Sequence, residues 1–151
     1  MNWDVVRAIL DSAAFLCFLS ILGYFWQKYF IEPRQAIQDL IGEIDADLAF
    51  YANIWANPGS AKAELISAAS EALRRRAVDL RARVRKLGPR RFPWWSCLPT
   101  RADLREACSL LIGLSNSLAF PPGGALGDTA SRNRDTETRI RKLLGILETG
   151  M

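Results

Sequence analysis

The stretch that decides the fold is Ala13–Trp26, AAFLCFLSILGYFW, an uncharged apolar run in the first part of the 151-residue chain. The run extends to Ile31 with Gln27 and Lys28 as its polar breaks, and then comprises 19 residues. A helix needs about 20 apolar residues to cross roughly 30 Å of hydrocarbon, because each residue adds about 1.5 Å. The length and composition of the run therefore predict a transmembrane helix.

A cleaved signal peptide and a buried core helix are the alternatives for this run. A signal peptide carries a basic segment before the run and a small-residue cleavage site after it. Here bulky residues follow the apolar core, and no Ala-x-Ala site comes directly after it. We therefore expect an uncleaved membrane anchor over residues 1–31. Aromatic side chains suited to the two interfaces flank it, Trp3 on one side and Trp26, Tyr29 and Phe30 on the other.

Two faces of the anchor are candidate contacts for another membrane protein. Asp4, Arg7 and Asp11 are spaced three and four residues apart, which places them on one helical face. Such a trio is either a charge cluster at the interface or a polar contact with a membrane partner. Cys17 and Ser20 lie on nearly the opposite face, where small side chains permit close helix approach.

The distribution of charge bears on which side of the membrane the rest of the chain occupies. The amino terminus and Arg7 precede residues 13–26, and Lys28 and Arg34 follow them, so the positive charges nearest to this stretch are almost balanced. The excess of arginine comes later, near residue 80, and the positive-inside rule then favours a cytoplasmic C-terminal domain. The three cysteines are too few and too scattered for a disulfide framework, which agrees with that side.

The remaining residues, 32–151, read as four amphipathic helices. Apolar residues recur at helical spacing in four segments, and no segment alternates like a strand. These are Ile37, Leu40, Ile41, Ile44, Leu48, Tyr51 and Trp55; Ile66, Leu73, Leu80 and Leu87 with Ala69 or Ser70, Ala77 and Val84 between them; Leu104, Cys108, Leu111, Ser115 and Leu118; and Ile140, Leu143, Leu144 and Leu147. We expect an all-α fold, with the membrane helix followed by an antiparallel bundle of about four helices.

Local signals place the ends of these helices. The first soluble helix is expected over residues 33–56 and the second over residues 61–87, with Ser60 as its N-cap. Thr100 and Asp103 form a capping-box pattern before the third. The last is expected to begin between Asp128 and Thr136 and to run to Glu148.

The segment from Arg74 to Arg91 carries nine bases and one acid. Folding the chain back at residues 57–59 brings the acids of the preceding helix, including Glu43 and Asp47, beside the first part of this segment. One interpretation is a solvated face that is partly paired with those acids, in pairs that each contribute about 0–1 kcal/mol. A nucleic-acid surface is the weaker interpretation, because no recognised binding motif accompanies the bases.

The loop after the second soluble helix is the candidate membrane interface. Two helices of similar rise, folded back on each other, return the chain to the level at which it left the bilayer. The loop there combines bases that suit anionic lipid headgroups with aromatic residues that suit the interface: Arg90, Arg91, Phe92, Trp94 and Trp95. Alternatively, the two tryptophans cover the end of the bundle core.

The residue types that carry most enzyme chemistry are sparse. The chain contains no His, which removes the commonest general base and the commonest metal ligand. Cys97 and Cys108 have no further soft ligand nearby in the sequence, and no glycine-rich loop has the residues of a phosphate-binding motif. We expect no catalytic residues, no metal and no cofactor.

Two peptides, FYANI at residues 50–54 and LIGLSNSL at residues 111–118, resemble segments of small, uncharacterised bacterial proteins in which a membrane anchor precedes helices. The resemblance implies a bacterial origin and this layout, and it carries no activity. We expect an accessory or scaffolding subunit in the bacterial inner (cytoplasmic) membrane, bound to integral membrane proteins and anionic lipid headgroups. The alternatives are an effector that oligomerises through its anchor and, ranked lower, a membrane-tethered nucleic-acid binder.

Overall fold

The computed structural model describes residues 3–56, 61–86, 98–119 and 126–146, with the side chains of the first helix described from Ser12 onward. These ranges are helical and contain no strand. The helices are α1 (Trp3–Trp26), α2 (Glu32–Phe50), α3 (Ala52–Ala56), α4 (Ala63–Lys86), α5 (Arg101–Ala119) and α6 (Leu126–Leu143), with a π-helical segment at Gln27–Ile31. The chain divides into two units, Met1–Gln35 and Ala36–Met151.

A π-helical segment joins α1 to α2 without a loop. Proline lacks an N–H group, and its ring crowds the carbonyl four residues earlier in an α-helix, so it kinks or widens the helix before it. Pro33 is the second residue of α2, and the five residues that precede α2 form this wider turn. The backbone N–H of Glu32 donates to the carbonyl of Gln27, five residues back. The proline is therefore accommodated inside helical structure.

The first unit exposes its apolar side chains. Every described side chain from Ser12 to Glu32 is exposed. Of the fifteen large hydrophobic residues that are exposed among the described residues, twelve lie between Phe15 and Ile31. Within the described residues, one helix is long and apolar enough to span a membrane, and it contains this run.

The second unit has its own apolar core, formed by residues between Ile37 and Leu144. The core side chains come from α2 to α6 and from the segment that follows α6, and α4 packs against α5, which packs against α6. The apolar stripes predicted from the sequence are largely confirmed. Leu73, Leu80, Ala77 and Val84 of α4 are buried, and Ile66 is partly buried. Leu87 and Leu147 lie outside the described residues.

The structure interrupts one predicted helix and moves the start of two others. The first soluble helix is interrupted at Tyr51, where the N–H of Ile54 donates to the Tyr51 carbonyl over 2.9 Å and starts the short helix α3. α4 begins at Ala63, two residues later than predicted, and α6 begins at Leu126, earlier than predicted. The predicted N-cap, Ser60, lies outside the described residues.

The end of α6 comes five residues before the predicted one because of a glycine that the sequence analysis passed over. Gly145 has φ +70°, a conformation that costs glycine little. Its N–H donates to the Lys142 carbonyl over 3.1 Å, and the N–H of Ile146 donates to the Arg141 carbonyl over 2.9 Å. This pair of bonds is the Schellman motif, which closes a helix by satisfying its last carbonyl groups.

The start of α5 agrees with its predicted capping box. The N–H of Asp103 donates to Oγ1 of Thr100 over 3.2 Å. The N–H of Thr100 donates in turn to Oδ2 of Asp103 over 3.1 Å. The two residues thus satisfy each other's backbone donors, which fixes the start of the helix that carries Arg101 and Arg105.

Candidate functional site

The described residues include one of the two predicted sites, the contact residues of α1, and leave out the other. The predicted membrane interface, Arg90, Arg91, Phe92, Trp94 and Trp95, lies outside the described residues. This segment, residues 87–97, joins the end of α4 to the described Leu98.

The predicted contact residues for a membrane partner all lie in α1. Asp4, Arg7 and Asp11 are in its helical backbone, and their side chains are outside the described part. Cys17 is an exposed free thiol. The Ser20 hydroxyl is exposed and donates to the Leu16 carbonyl over 2.9 Å. Because that bond uses the only hydroxyl hydrogen, a partner helix would meet Ser20 as an acceptor.

Aromatic residues gather where α1 passes into the π-helical segment. The rings of Trp26 and Phe30 stack with their centroids 4.7 Å apart. The rings of Phe25 and Tyr29 stack at 5.8 Å. All four side chains are exposed. Exposed aromatic rings at one end of an apolar helix are typical of a membrane–water interface.

The predicted pairing of the arginine run with the acids of α2 is confirmed at one residue. Nε of Arg76 donates to Oδ2 of Asp47 over 2.7 Å, and its Nη1 donates to Glu43. The hydrogen bond to Asp47, followed by the charges of both acids, raises the pKa of the Arg76 guanidinium, against its partial burial. Arg76 therefore joins α4 to α2.

Other members of the run have separate partners. Arg75 pairs with Glu71 of its own helix over 3.2 Å, with both side chains largely exposed. Arg74 donates to Oδ1 of Asn116 on α5 over 3.0 Å. Arg83 donates to the backbone carbonyl of Ala36. The run is consequently not one uniform basic face.

Two further arginines of the run, Arg81 and Arg85, help to line a cleft between α4 and α5, with a volume of about 410 Å³. Two helices contribute its cations, each at i and i+4: Arg81 and Arg85 from α4, and Arg101 and Arg105 from α5. Residues spaced by four lie on the same helical face, so each pair points in one direction. The other lining residues are Val84, Cys108, Ser109 and Ile112, and none of the lining residues in the described part of the chain is acidic.

Cys108 belongs to the apolar floor of this cleft and is 5% exposed. Burial raises the pKa of its thiol, and the nearby charge of Arg81 acts in the opposite direction. Burial has the larger effect, so the thiol stays protonated at neutral pH and behaves as a small apolar group.

The two arginines that α5 contributes were not predicted as site residues from the sequence. Arg101 and Arg105 stand beside acids in the sequence, Asp103 and Glu106, and the segment therefore reads as charge-balanced. Their i, i+4 spacing was the available signal. This spacing matches that of Arg81 and Arg85, but neither segment's sequence indicates which two helices face each other.

Two polar contacts inside the second unit were also unforeseen in detail. Ser70 of α4 and Ser115 of α5 are joined by hydrogen bonds. Each hydroxyl oxygen lies within 3.1 Å of the other residue's backbone carbonyl oxygen, and the two hydroxyl oxygens are 3.0 Å apart. Both serines are buried, which holds α4 and α5 close together.

A second contact involves the largest core side chain. Nε1 of the fully buried Trp55 donates to Oε2 of Glu137 over 2.8 Å. Glu137 also accepts from Nε of Arg141 over 3.1 Å, and Arg141 pairs in turn with Asp45. The network therefore connects α3 and α2 to α6 and leaves the indole N–H satisfied.

Comparisons with known proteins give no relative for this chain: no family model matches it, and neither a curated protein nor a solved structure does. The bacterial origin implied by the resemblance of residues 50–54 and 111–118 therefore stays a prediction.

Proposed function

We propose that this protein is a single-pass, membrane-anchored interaction protein, an accessory or scaffolding subunit of a membrane protein complex. The observation that carries the proposal is the exposed apolar surface of residues 15–31. Burial of one large apolar side chain is worth about 1.5–3 kcal/mol, so twelve such residues facing water would be strongly unfavourable. A lipid bilayer removes that cost, and the aromatic residues from Trp26 to Phe30 suit its interface.

The core of the second unit supports a separate role for the apolar helix. The buried apolar cluster contains residues from Ile37 to Leu144, and these members all belong to the second unit. Because the second unit builds its core from its own residues, the proposed role of the apolar surface of α1 is contact with lipid and with other membrane helices.

For the second unit we propose an antiparallel four-helix bundle of α2, α4, α5 and α6. The side-chain contacts support it. Along α4, Arg76 meets Asp47 and Arg83 meets Ala36, so the residue number rises on α4 while it falls on α2. The same inverse order holds between α4 and α5, where Ser70 bonds to Ser115 while the later Arg81 and Arg85 share a cleft with the earlier Arg101 and Arg105. It holds between α5 and α6, where Glu106 pairs with Arg139 and Ser117 bonds to Asn133. It also holds between α6 and the segment formed by α2 and α3, where Asp45 pairs with Arg141 and Trp55 bonds to Glu137.

The location we propose is the inner membrane of a bacterium, with the second unit in the cytoplasm. The basic character of α4 supports the cytoplasmic side through the positive-inside rule. A cysteine at the exposed position Ser131 reports the side directly, because Cys108 is buried and reacts poorly. In a Ser131→Cys chain with its other cysteines replaced, a membrane-impermeant thiol reagent should label spheroplasts only after lysis. Labelling of intact spheroplasts would reverse the orientation.

Carbonate extraction tests the anchor itself. The full chain should stay with the membranes at high pH, and N-terminal sequencing should give an uncleaved start. Leu19→Arg with Leu22→Arg places two charges near the centre of the run, each costing about 2.5–3.5 kcal/mol there, and should release the protein. Gln27→Arg, near the aromatic end, is the matched control and should stay with the membranes. Complete release of the wild-type chain would refute the anchor.

Purification in mild detergent tests the partner. We expect one or two copies of the chain to accompany an integral membrane protein. A closed ring of this chain alone would instead favour the effector that oligomerises through its anchor. The variants Arg7→Gln and Ser20→Leu separate the two predicted contact faces of α1, because each alters one face and leaves the length of the run unchanged.

A further inference from the structure

The side chains that α6 turns toward the core change character along the helix. In the second half of α6, residues 137–143, Ile140 is fully buried, and Leu144 is buried directly after it. In the first half, residues 128–136, the buried side chains are Thr129 and Asn133. The first half of α6 therefore contacts the core through polar groups and the second half through apolar ones.

The sequence of the first half gives this part of the helix little stability of its own. Residues 128–136, DTASRNRDT, contain no large apolar side chain. Six of the nine are Asp, Thr, Ser or Asn, which favour a helix less than Ala or Arg does, because they lose side-chain freedom there or compete for backbone hydrogen bonds. Since most helical stability in a protein comes from the packing of an apolar face, this half lacks its usual source.

The hydrogen bonds of Asn133 do not replace apolar packing. Its Oδ1 lies 2.8 Å from Oγ of Ser117 on α5. The Ser117 hydroxyl is also 2.8 Å from the Leu114 carbonyl oxygen, and it has one hydrogen to donate, so it serves one acceptor at a time. Within the described residues, the buried Nδ2 of Asn133 has no hydrogen-bond partner. A buried donor without a partner disfavours the closed state, because the donor regains a partner from water when the helix opens.

Glu137 marks the end of this half of the helix. It accepts from Nε1 of the buried Trp55 over 2.8 Å and from Nε of Arg141 over 3.1 Å. Beyond it, Ile140 enters the core and Arg141 pairs with Asp45 of α2. The second half is thus fixed by apolar burial and by ion pairs, and we expect it to be the more stable half of α6.

We propose that residues 128–136 form a cover segment, which opens by local unfolding while α2 to α5 and the second half of α6 stay folded. Segments that bury few apolar groups open at a lower free energy than the core does. Ser117, which contacts the cover segment, lies between Leu114 and Leu118 on α5, and both leucines are buried. Opening exposes this apolar surface of α5, and the cover segment controls access to it. The inference does not depend on the proposed membrane anchoring.

Hydrogen–deuterium exchange of the full chain in uncharged detergent tests the opening. The amides of residues 130–136 should exchange at least about tenfold faster than those of residues 140–143. Low concentrations of urea should hardly change the faster rate, because a local opening exposes little surface, whereas the slower amides should follow global unfolding. Equal protection and equal urea dependence on the two sides of Glu137 would overturn the proposal.

Replacement of the buried amide tests the cause of the opening. Asn133→Leu keeps the shape of the side chain and makes it apolar, and the Ser117 hydroxyl still has the Leu114 carbonyl as its acceptor. Exchange of residues 130–136 should slow by about tenfold or more, because burial then favours the closed state. Ser131→Leu is the matched control at an exposed position of the cover segment, and helix propensity alone should slow exchange by no more than about threefold. Equal effects of the two variants would contradict the proposal.

A thiol on α5 reports whether the cover segment controls access to the apolar surface. In a chain with its natural cysteines replaced, Leu118→Cys places the thiol beside Ser117, and a thiol reagent should modify it through the opening. Adding Asn133→Leu should slow the modification about tenfold, in step with the amides, whereas adding Ser131→Leu should slow it by no more than about threefold. A modification rate that Asn133→Leu leaves unchanged would show that the segment does not cover this surface, and would overturn the proposal.

Discussion

Replacing Leu80 by alanine tests the packing of the second unit. Leu80 is fully buried on the heptad stripe of α4. Leu-to-Ala changes at filled core sites cost about 2–5 kcal/mol, from the lost transfer free energy and the cavity left behind. We expect the free energy of unfolding of the second unit to fall by this amount, a large part of the roughly 5–15 kcal/mol that a domain has in total.

The size of the unit converts that loss into a melting temperature. The unit Ala36–Met151 has 116 residues, and an unfolding entropy of about 2.1 cal/mol/K per residue gives about 0.24 kcal/mol/K for the unit. A loss of 2–5 kcal/mol therefore lowers the melting temperature by about 8–20 °C. Far-UV circular dichroism of the full chain in uncharged detergent follows this transition.

Leu65→Ala is the matched control, because it makes the same substitution on the same helix at a residue that is 49% exposed. Surface changes of this kind stay within about 0.5 kcal/mol, or about 2 °C for this unit. Equal shifts for Leu80→Ala and Leu65→Ala would refute the packing argument, because the stripe of α4 would then face solvent or a missing partner.

Three further predictions concern local interactions of the second unit. Thr100→Ala removes the capping box of α5 and should cost about 1 kcal/mol in urea unfolding, whereas Thr138→Ala, at an exposed site inside α6, should cost less. Trp55→Phe deprives Glu137 of a buried donor and should cost about 1–3 kcal/mol, and an unchanged urea midpoint would show that water replaces the indole. Burial raises the pKa of Cys108, so its contribution to stability is complete below the pKa of the unfolded thiol and is lost as the pH rises through the folded value. Between about pH 8 and pH 10 the wild type should therefore lose more stability than Cys108→Ala, and parallel pH profiles would contradict this assignment.

The apolar stripes and the capping box could be predicted from the sequence because both depend on residues within one or two helical turns. The burial of Leu73 and Leu80 follows from the seven-residue period of apolar residues in α4. The capping box follows from the three-residue spacing of Thr100 and Asp103. The break at Tyr51 was not predicted, and neither was the hydrogen bond of the nearby Trp55, whose partner Glu137 lies 82 residues away in the chain.

For the arginines, too, some features could be predicted from the sequence and others depend on the tertiary structure. The sequence by itself determined that α4 is basic and that α2 is acidic, and hence that some pairing between them was to be expected. It could not determine that Arg76 pairs with Asp47 while Arg81 and Arg85 line the same cleft as Arg101 and Arg105. The rotation and axial register of each helix are set by the packing of the whole core, including the buried contact of Ser70 with Ser115. Charge composition is local to a segment, but the cleft exists only because that packing holds two basic faces opposite each other.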